Sequence, residues 1–119
     1  MINRSRVQLI HENAIPSGID LQTSPAIPAG QTWQITRIIF ADKSIGDGLS
    51  GGFKVDWGSG STFEVLAAAY LEGNTIDLPI NKVFTGDSVK HFRLIRQNNS
   101  APNKEMFIMV EGFQRIGDL

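Results

Sequence analysis

The chain contains no cysteine. That excludes disulfide frameworks, thiolate nucleophiles and cysteine-ligated metals, and it leaves the redox compartment undetermined. Histidine is nearly as scarce: His11 and His91 are the only two, far apart in the sequence, and zinc binding is not expected from them. An excess of charge of one sign is also missing. With 11 basic and 12 acidic residues the formal net charge is −1, which provides no electrostatic footprint for nucleic acid or an anionic membrane. No apolar run approaches the roughly 18 residues needed to span a bilayer. The N-terminal "MINRSRVQLIHENAIPSG" lacks the apolar stretch of about 7–15 residues that marks a secretory signal. A soluble chain without membrane or nucleic-acid partners is expected. At 119 residues it is long enough for a single core and reads as one domain, 1–119.

What the sequence does have is alternation. "GFKVDWG" sets Phe53, Val55 and Trp57 on one side and Lys54 and Asp56 on the other, the period of a half-buried strand. In "VKHFRLIRQ", Phe92 and Leu94 share a face with Lys90 and Arg96, opposite Val89, His91, Arg93 and Ile95. "KEMFIMVEGF" is apolar on both faces, as a central strand covered on both sides would be. "QTWQITRIIFA" is the longest strand candidate, and "RVQLIHE", "GIDLQT" and "TIDLPI" are shorter ones. The segment "STFEVLAAAYLEG" is ambiguous. Phe63, Leu66, Ala67, Tyr70 and Leu71 form a helical stripe, and Ser61 with Glu64 fits a capping box, so 62–72 can be read as a helix. Phe63, Val65, Ala67, Ala69 and Leu71 alternate equally well, and a strand here completes an even count. Turn chemistry separates the runs: "AIPSG", "SPAIPAG", "SIGDGLSGG", "GSGS", "EGN", "TGDS" and "NNSAPN". Eight apolar runs punctuated in this way have the rhythm of an all-β sandwich or barrel, and an eight-stranded antiparallel sandwich is the expected form.

One stretch imitates a nucleotide site. "GDGLSG", Gly46 to Gly51, matches the G-x-G-x-x-G of a dinucleotide-binding loop. That loop works only when a strand precedes it and a helix N-terminus then faces the pyrophosphate. Here the next residues are "GFKVDWGSGS", which alternate and then break at Gly58 and Gly60. The glycines therefore read as a connection between strands, and no cofactor is expected.

Other constellations are equally unpersuasive as chemistry. Asp42, Asp47 and Asp56 lack the D-x-D-x-D spacing and closing Glu of a calcium loop, so no metal is expected. No G-x-S-x-G elbow accompanies the serines and histidines, and nothing singles out two carboxylates as a glycosidase pair. The chain is expected not to be an enzyme. Aromatics offer a better lead for binding. Trp57 ends a strand beside "GSGS", with Asp56 adjacent and Tyr70 further on, a set that could stack a sugar ring and take its hydroxyls. Against this, Trp33 and Trp57 alternate in phase with Ile and Val, as core residues would. Arg4 and Arg6 lie on a terminal segment, 1–6, that could serve as an arm reaching a partner, and Arg93 and Arg96 flank an apolar pair.

The last third, "VFTGDSVKHFRLIRQNNSAPNKEMFIMVEGF", resembles the closing strands of small jelly-roll proteins of tailed bacteriophage virions. There a G-D turn precedes a strand, an Asn/Ser-rich loop comes next, and the final strand ends in an E-G pair. "IPAGQTWQITRIIFA" is similar to the opening strand of those proteins, so the resemblance runs from about Ile27 to Phe113. It implies a jelly-roll sandwich and a non-enzymatic structural component of the virion. Such a component would be made in the host cytoplasm and would decorate or cement a phage capsid. It would bind the major capsid or tail protein through protein–protein contacts, as a homotrimer. No functional residue carries over with the resemblance. The alternative is a carbohydrate-binding sandwich or a receptor-binding tail or fibre component using Asp56, Trp57 and Tyr70.

Overall fold

The computed structural model describes residues 3–43, 51–99 and 103–116. These form nine strands and no helix: β1 (Asn3–His11), β2 (Ala14–Ile15), β3 (Gly18–Thr23), β4 (Gln31–Asp42), β5 (Gly51–Ser59), β6 (Thr62–Leu71), β7 (Thr75–Thr85), β8 (His91–Asn98) and β9 (Lys104–Ile116). Each of the eight alternating runs is a strand. The count is nine rather than eight because β2 has only two residues, too few to alternate, and is held by pairing with Glu105 and Lys104 of β9. Residues 3–6, expected as part of an arm, lie within β1, which pairs with β9 from Asn3↔Ile116 to His11↔Ile108. Of the glycine fingerprint, Gly46–Ser50 lies outside the described residues, and Gly51 opens the strand β5 rather than a helix.

The strands form two antiparallel sheets. The first runs β1-β9-β4-β7, with β2 at its side on β9, and the second runs β3-β8-β5-β6. Their facing sides close one core. At one end that core is aromatic: Trp57 packs on Phe84 and Phe92 with ring centroids 4.9 and 4.6 Å apart, and Trp33 stacks on Phe92 at 6.0 Å. Toward the other end of β8 the inward residues turn polar, from Phe92 and Leu94 to Arg96 and Asn98, all buried. Lys104 and Asp42 join them as a fully buried ion pair at 2.7 Å. Asn98 donates to the Ile15 carbonyl at 2.9 Å, which fastens β2 to this end.

The ambiguous segment 62–72 is a strand, and a bulge explains why it looked helical. Between Val55↔Ala67 and Asp56↔Val65 the register of β5 and β6 shifts by one residue, so that Leu66 is extra. An extra residue reverses the alternation. Ala67, Ala69 and Leu71 pack on the core, whereas Phe63 and Val65 share the outer side with Asp56 and Gly58, their partners across the strand pair. The predicted single face of Phe63, Val65, Ala67, Ala69 and Leu71 is therefore split between two. Gly58 lets the β5–β6 hairpin close, because a Cβ there would fall 2.0 Å from the Thr62 carbonyl oxygen.

Candidate functional site

The two outer faces of the sandwich differ in chemistry. On the first sheet, polar side chains that satisfy one another lie between the exposed Ile10, Val83 and Phe113. Arg6 donates to Glu111 at 2.9 Å, Gln8 to the same carboxylate at 3.2 Å, Gln34 to Asn81 at 2.8 Å and Arg115 to Gln34 at 3.2 Å. The Arg6 hydrogen bond, then that of Gln8, holds the Glu111 carboxyl below its ordinary range despite some desolvation. Arg37 faces Asp77 at 3.4 Å. Arg6 is thus tied to this face by its ion pair. Arg4 pairs with Arg115 through the backbone, and its side chain lies outside the described residues.

The outer face of the second sheet is apolar. Register places its residues in rows across the four strands. Ile19, Gln97, Gly52 and Tyr70 make one row; Leu21, Ile95, Lys54 and Ala68 the next; Thr23, Arg93, Asp56 and Val65 the third. Ile19 and Tyr70 are 72% and 73% exposed, and Leu21 and Val65 are 51% and 54% exposed. Single exposed apolar residues are ordinary, but a contiguous set on one sheet face is the mark of a contact surface.

Within this face lies a shallow cavity of about 220 Å³ between Tyr70 and Gln97, with Gly52 at its floor, Lys54 beside it and Ile19, Ala68 and Ile95 among its walls. A Cβ on Gly52 would lie 3.2 Å from Tyr70 Cε1 and 3.5 Å from Gln97 Oε1, so both side chains lean over the glycine. Among the described residues no side chain pairs with the Lys54 ammonium, the Tyr70 hydroxyl or the Gln97 amide. The other charges of the face cancel. Arg93 makes a two-pronged bond to Asp56 at 2.8 and 2.6 Å, and its guanidinium lies 3.5 Å from the centre of the Phe63 ring. That hydrogen bond, opposed by modest desolvation, raises Arg93 above its already high ordinary value.

The residues proposed as a sugar site are not brought together. Trp57 points into the core, 9% exposed, its ring occupied by Phe84 and Phe92. Asp56 is on the outer face but taken by Arg93, two rows from Tyr70. Of the three aspartates considered for a metal, Asp42 pairs with Lys104 and Asp56 with Arg93, and Asp47 lies outside the described residues. His11 donates to Asp20 at 3.2 Å, and His91 sits edge-on to Phe63 with centroids 5.6 Å apart.

No family model matches the chain, and no curated protein matches it in sequence. Among solved structures, it is similar to one described as the crystal structure of PirA. The TM-score is 0.50 at 9% identity, over 86% of this chain and 92% of that one. What the two share is a fold. Two structures of infectious bursal disease virus also align, at lower scores. The Gx strain gives a TM-score of 0.46 at 11% identity over 97% of this chain, and the Gt strain 0.43 at 12% over 96%. This chain spans about a third of either viral chain, 32% and 31%.

Sequence reasoning picked out Tyr70 but missed Lys54, Gln97, Ile19 and Leu21. The signal for β3 was in its pattern, "GIDLQT", which offers either an apolar or a polar side to the core. The structure turns the polar side inward, because Asp20 is needed by buried Arg96, which donates to it at 2.6 Å. Ile19 and Leu21 are left outside as a consequence.

Proposed function

We propose that this chain is a non-enzymatic structural protein of the virion, with jelly-roll topology, that attaches to a capsid or tail protein through the outer face of its second sheet. One observation carries the reading: Ile19, Leu21, Val65 and Tyr70 lie exposed around a cavity on one face, whereas on the opposite face the exposed Ile10, Val83 and Phe113 are interspersed with polar side chains that bond to one another. Exposed apolar side chains gain free energy when a partner covers them, at about 25 cal/mol per Å² removed from water. The strand order supports the topological part. With two-residue β2 set aside, eight strands remain in two sheets of four, ordered β1-β9-β4-β7 and β3-β8-β5-β6, as in a doubly wound Greek key. The likeness of "TGDSVKHFRLIRQNNSAPNKEMFIMVEGF" to phage virion proteins supplies the setting.

In this reading the sandwich is a rigid carrier and assembly as a homotrimer gives it several attachment points. The test is sedimentation of the purified chain with virion shells lacking it, alongside its absolute mass in solution. The wild type is expected to sediment with shells as a trimer, and Ile19→Asp with Leu21→Asp to stay folded but remain in the supernatant. A wild-type chain that stays unbound, or a double variant that binds as well as wild type, overturns the reading.

A further inference from the structure

We propose that the cavity between Tyr70 and Gln97 receives a carboxylate side chain from the partner protein, presented on an otherwise aliphatic segment and held by Lys54. This deepens the protein-contact reading above and rests on it. The walls are apolar and suit aliphatic side chains, whereas the polar groups at the rim are of a kind that can donate: an ammonium, a phenol and an amide. All three lack side-chain partners among the described residues. A few convergent polar groups around an apolar hollow are what fixes the orientation of a bound group.

Charge decides what that group is. Asp56 and Arg93 neutralise each other at 2.6 Å, so Lys54 is the cation left over in the middle of the apolar face. Covering it with a purely aliphatic surface would strand an ammonium without water or counter-charge, which is costly. A carboxylate removes that cost and makes a charge-assisted hydrogen bond. A second copy of this chain, face to face, offers no free carboxylate within the three rows of this face, because its own Asp56 is already bound by Arg93. The complement is therefore an acidic residue with aliphatic neighbours, which the attachment reading places on the partner protein. Gly52 contributes by absence. Any side chain there would press on Tyr70 and Gln97 and fill the floor.

The experiment is an amide NMR titration of the full chain with two end-blocked tripeptides, acetyl-Leu-Glu-Leu-amide and acetyl-Leu-Gln-Leu-amide, and with galacturonate as a sugar acid. Saturating shifts at Gly52, Lys54, Tyr70 and Gln97 are expected with the Glu peptide, and binding on the order of tenfold weaker with the Gln peptide, the worth of one charge-assisted hydrogen bond. Lys54→Gln should erase the preference and Lys54→Arg should keep it. Equal affinity for the two peptides, or no saturating shift with either, overturns the carboxylate inference. Tighter binding of galacturonate at the same residues overturns it in favour of a sugar acid. The two readings fail separately. If Ile19→Asp with Leu21→Asp abolishes shell binding while Lys54→Gln leaves it unchanged, the apolar contact stands and the carboxylate does not.

Discussion

Trp57 and Tyr70 are both large aromatics on neighbouring strands, and what they do is set by which side of the sheet they take. Trp57 fills the aromatic end of the core, with Phe92 4.6 Å away. Trp57→Ala is expected to cost about 3–5 kcal/mol, through lost burial and the cavity left behind, and to lower the thermal midpoint accordingly. Tyr70→Ala, at 73% exposure, should change stability by no more than about 0.5 kcal/mol in denaturant titrations. The buried pair of Asp42 and Lys104 gives a second contrast. Asp42→Asn is expected to destabilise by about 3–5 kcal/mol, because it removes the carboxylate charge that the buried Lys104 ammonium meets at 2.7 Å. Asp42→Leu combined with Lys104→Met should be much less damaging than the sum of the single changes, since it removes both charges at once. A double-mutant cycle in urea reads the difference.

Among the elements, β1 shows how pairing overrides position in the chain. A terminal segment with two arginines looks like an arm, yet from Asn3 onward it is a strand whose nine residues all pair with β9. Removing residues 1–6 would leave the β9 edge from Phe113 to Ile116 unpaired on that side and would break the Arg6–Glu111 bond. Exposed strand edges invite pairing with other chains. The truncated chain is expected to melt at lower temperature and to self-associate with rising concentration in light scattering, whereas loss of a loose arm would change neither. On the opposite side of the molecule, β7 carries Pro79, a residue tolerated at a sheet edge because it lacks the N–H that continued pairing needs. Lys82 of β7 pairs with Glu64 of β6 and bridges the edges of the two sheets.

For the molecule as a whole, the matching bridge at the other edge is sensitive to acid. His11 of β1 faces Asp20 of β3 across the gap between sheets, and Arg96 anchors Asp20 while donating to the carbonyls of Met106 and Asn13 at 2.8 Å. Burial, and then the charge of Arg96, lowers the His11 pKa, against the opposing pull of Asp20. Desolvation pushes Asp20 up, but the hydrogen bond and charge of Arg96, with help from His11, outweigh it and leave the carboxyl below its ordinary value. Both shifts act in one direction. As pH falls below 6.5 the unfolded chain takes up a proton at His11 more readily than the folded one, so stability declines. Below 3.8 the unfolded chain begins to protonate at Asp20 first, and the contribution of that carboxylate is lost as pH passes its folded value. His11→Gln should flatten the first decline and leave the second, as measured by urea midpoints across the acid range.

Period-two alternation and turn residues are local properties, and they were enough to establish that the chain is all-β and where its eight long strands lie. Turn chemistry marked nearly every boundary, and the inward faces of β5 and β8 could be read from Phe53, Val55, Phe92 and Leu94. In β4, by contrast, a bulge between Ile35 and Arg37 turns Ile38 and Phe40 inward with Trp33 and Ile35, against the simple alternation. Matters that depend on partners remote in sequence were settled by the folded arrangement alone. Asp20 turns inward to meet an arginine 76 residues away, and by doing so exposes Ile19 and Leu21. One extra residue at Leu66 reverses the facing of Phe63 and Val65. The exposed apolar residues of the second sheet are legible only once those two choices are made. Hydrophobicity alone would have buried them, and a buried charge with a distant counter-charge is the stronger constraint.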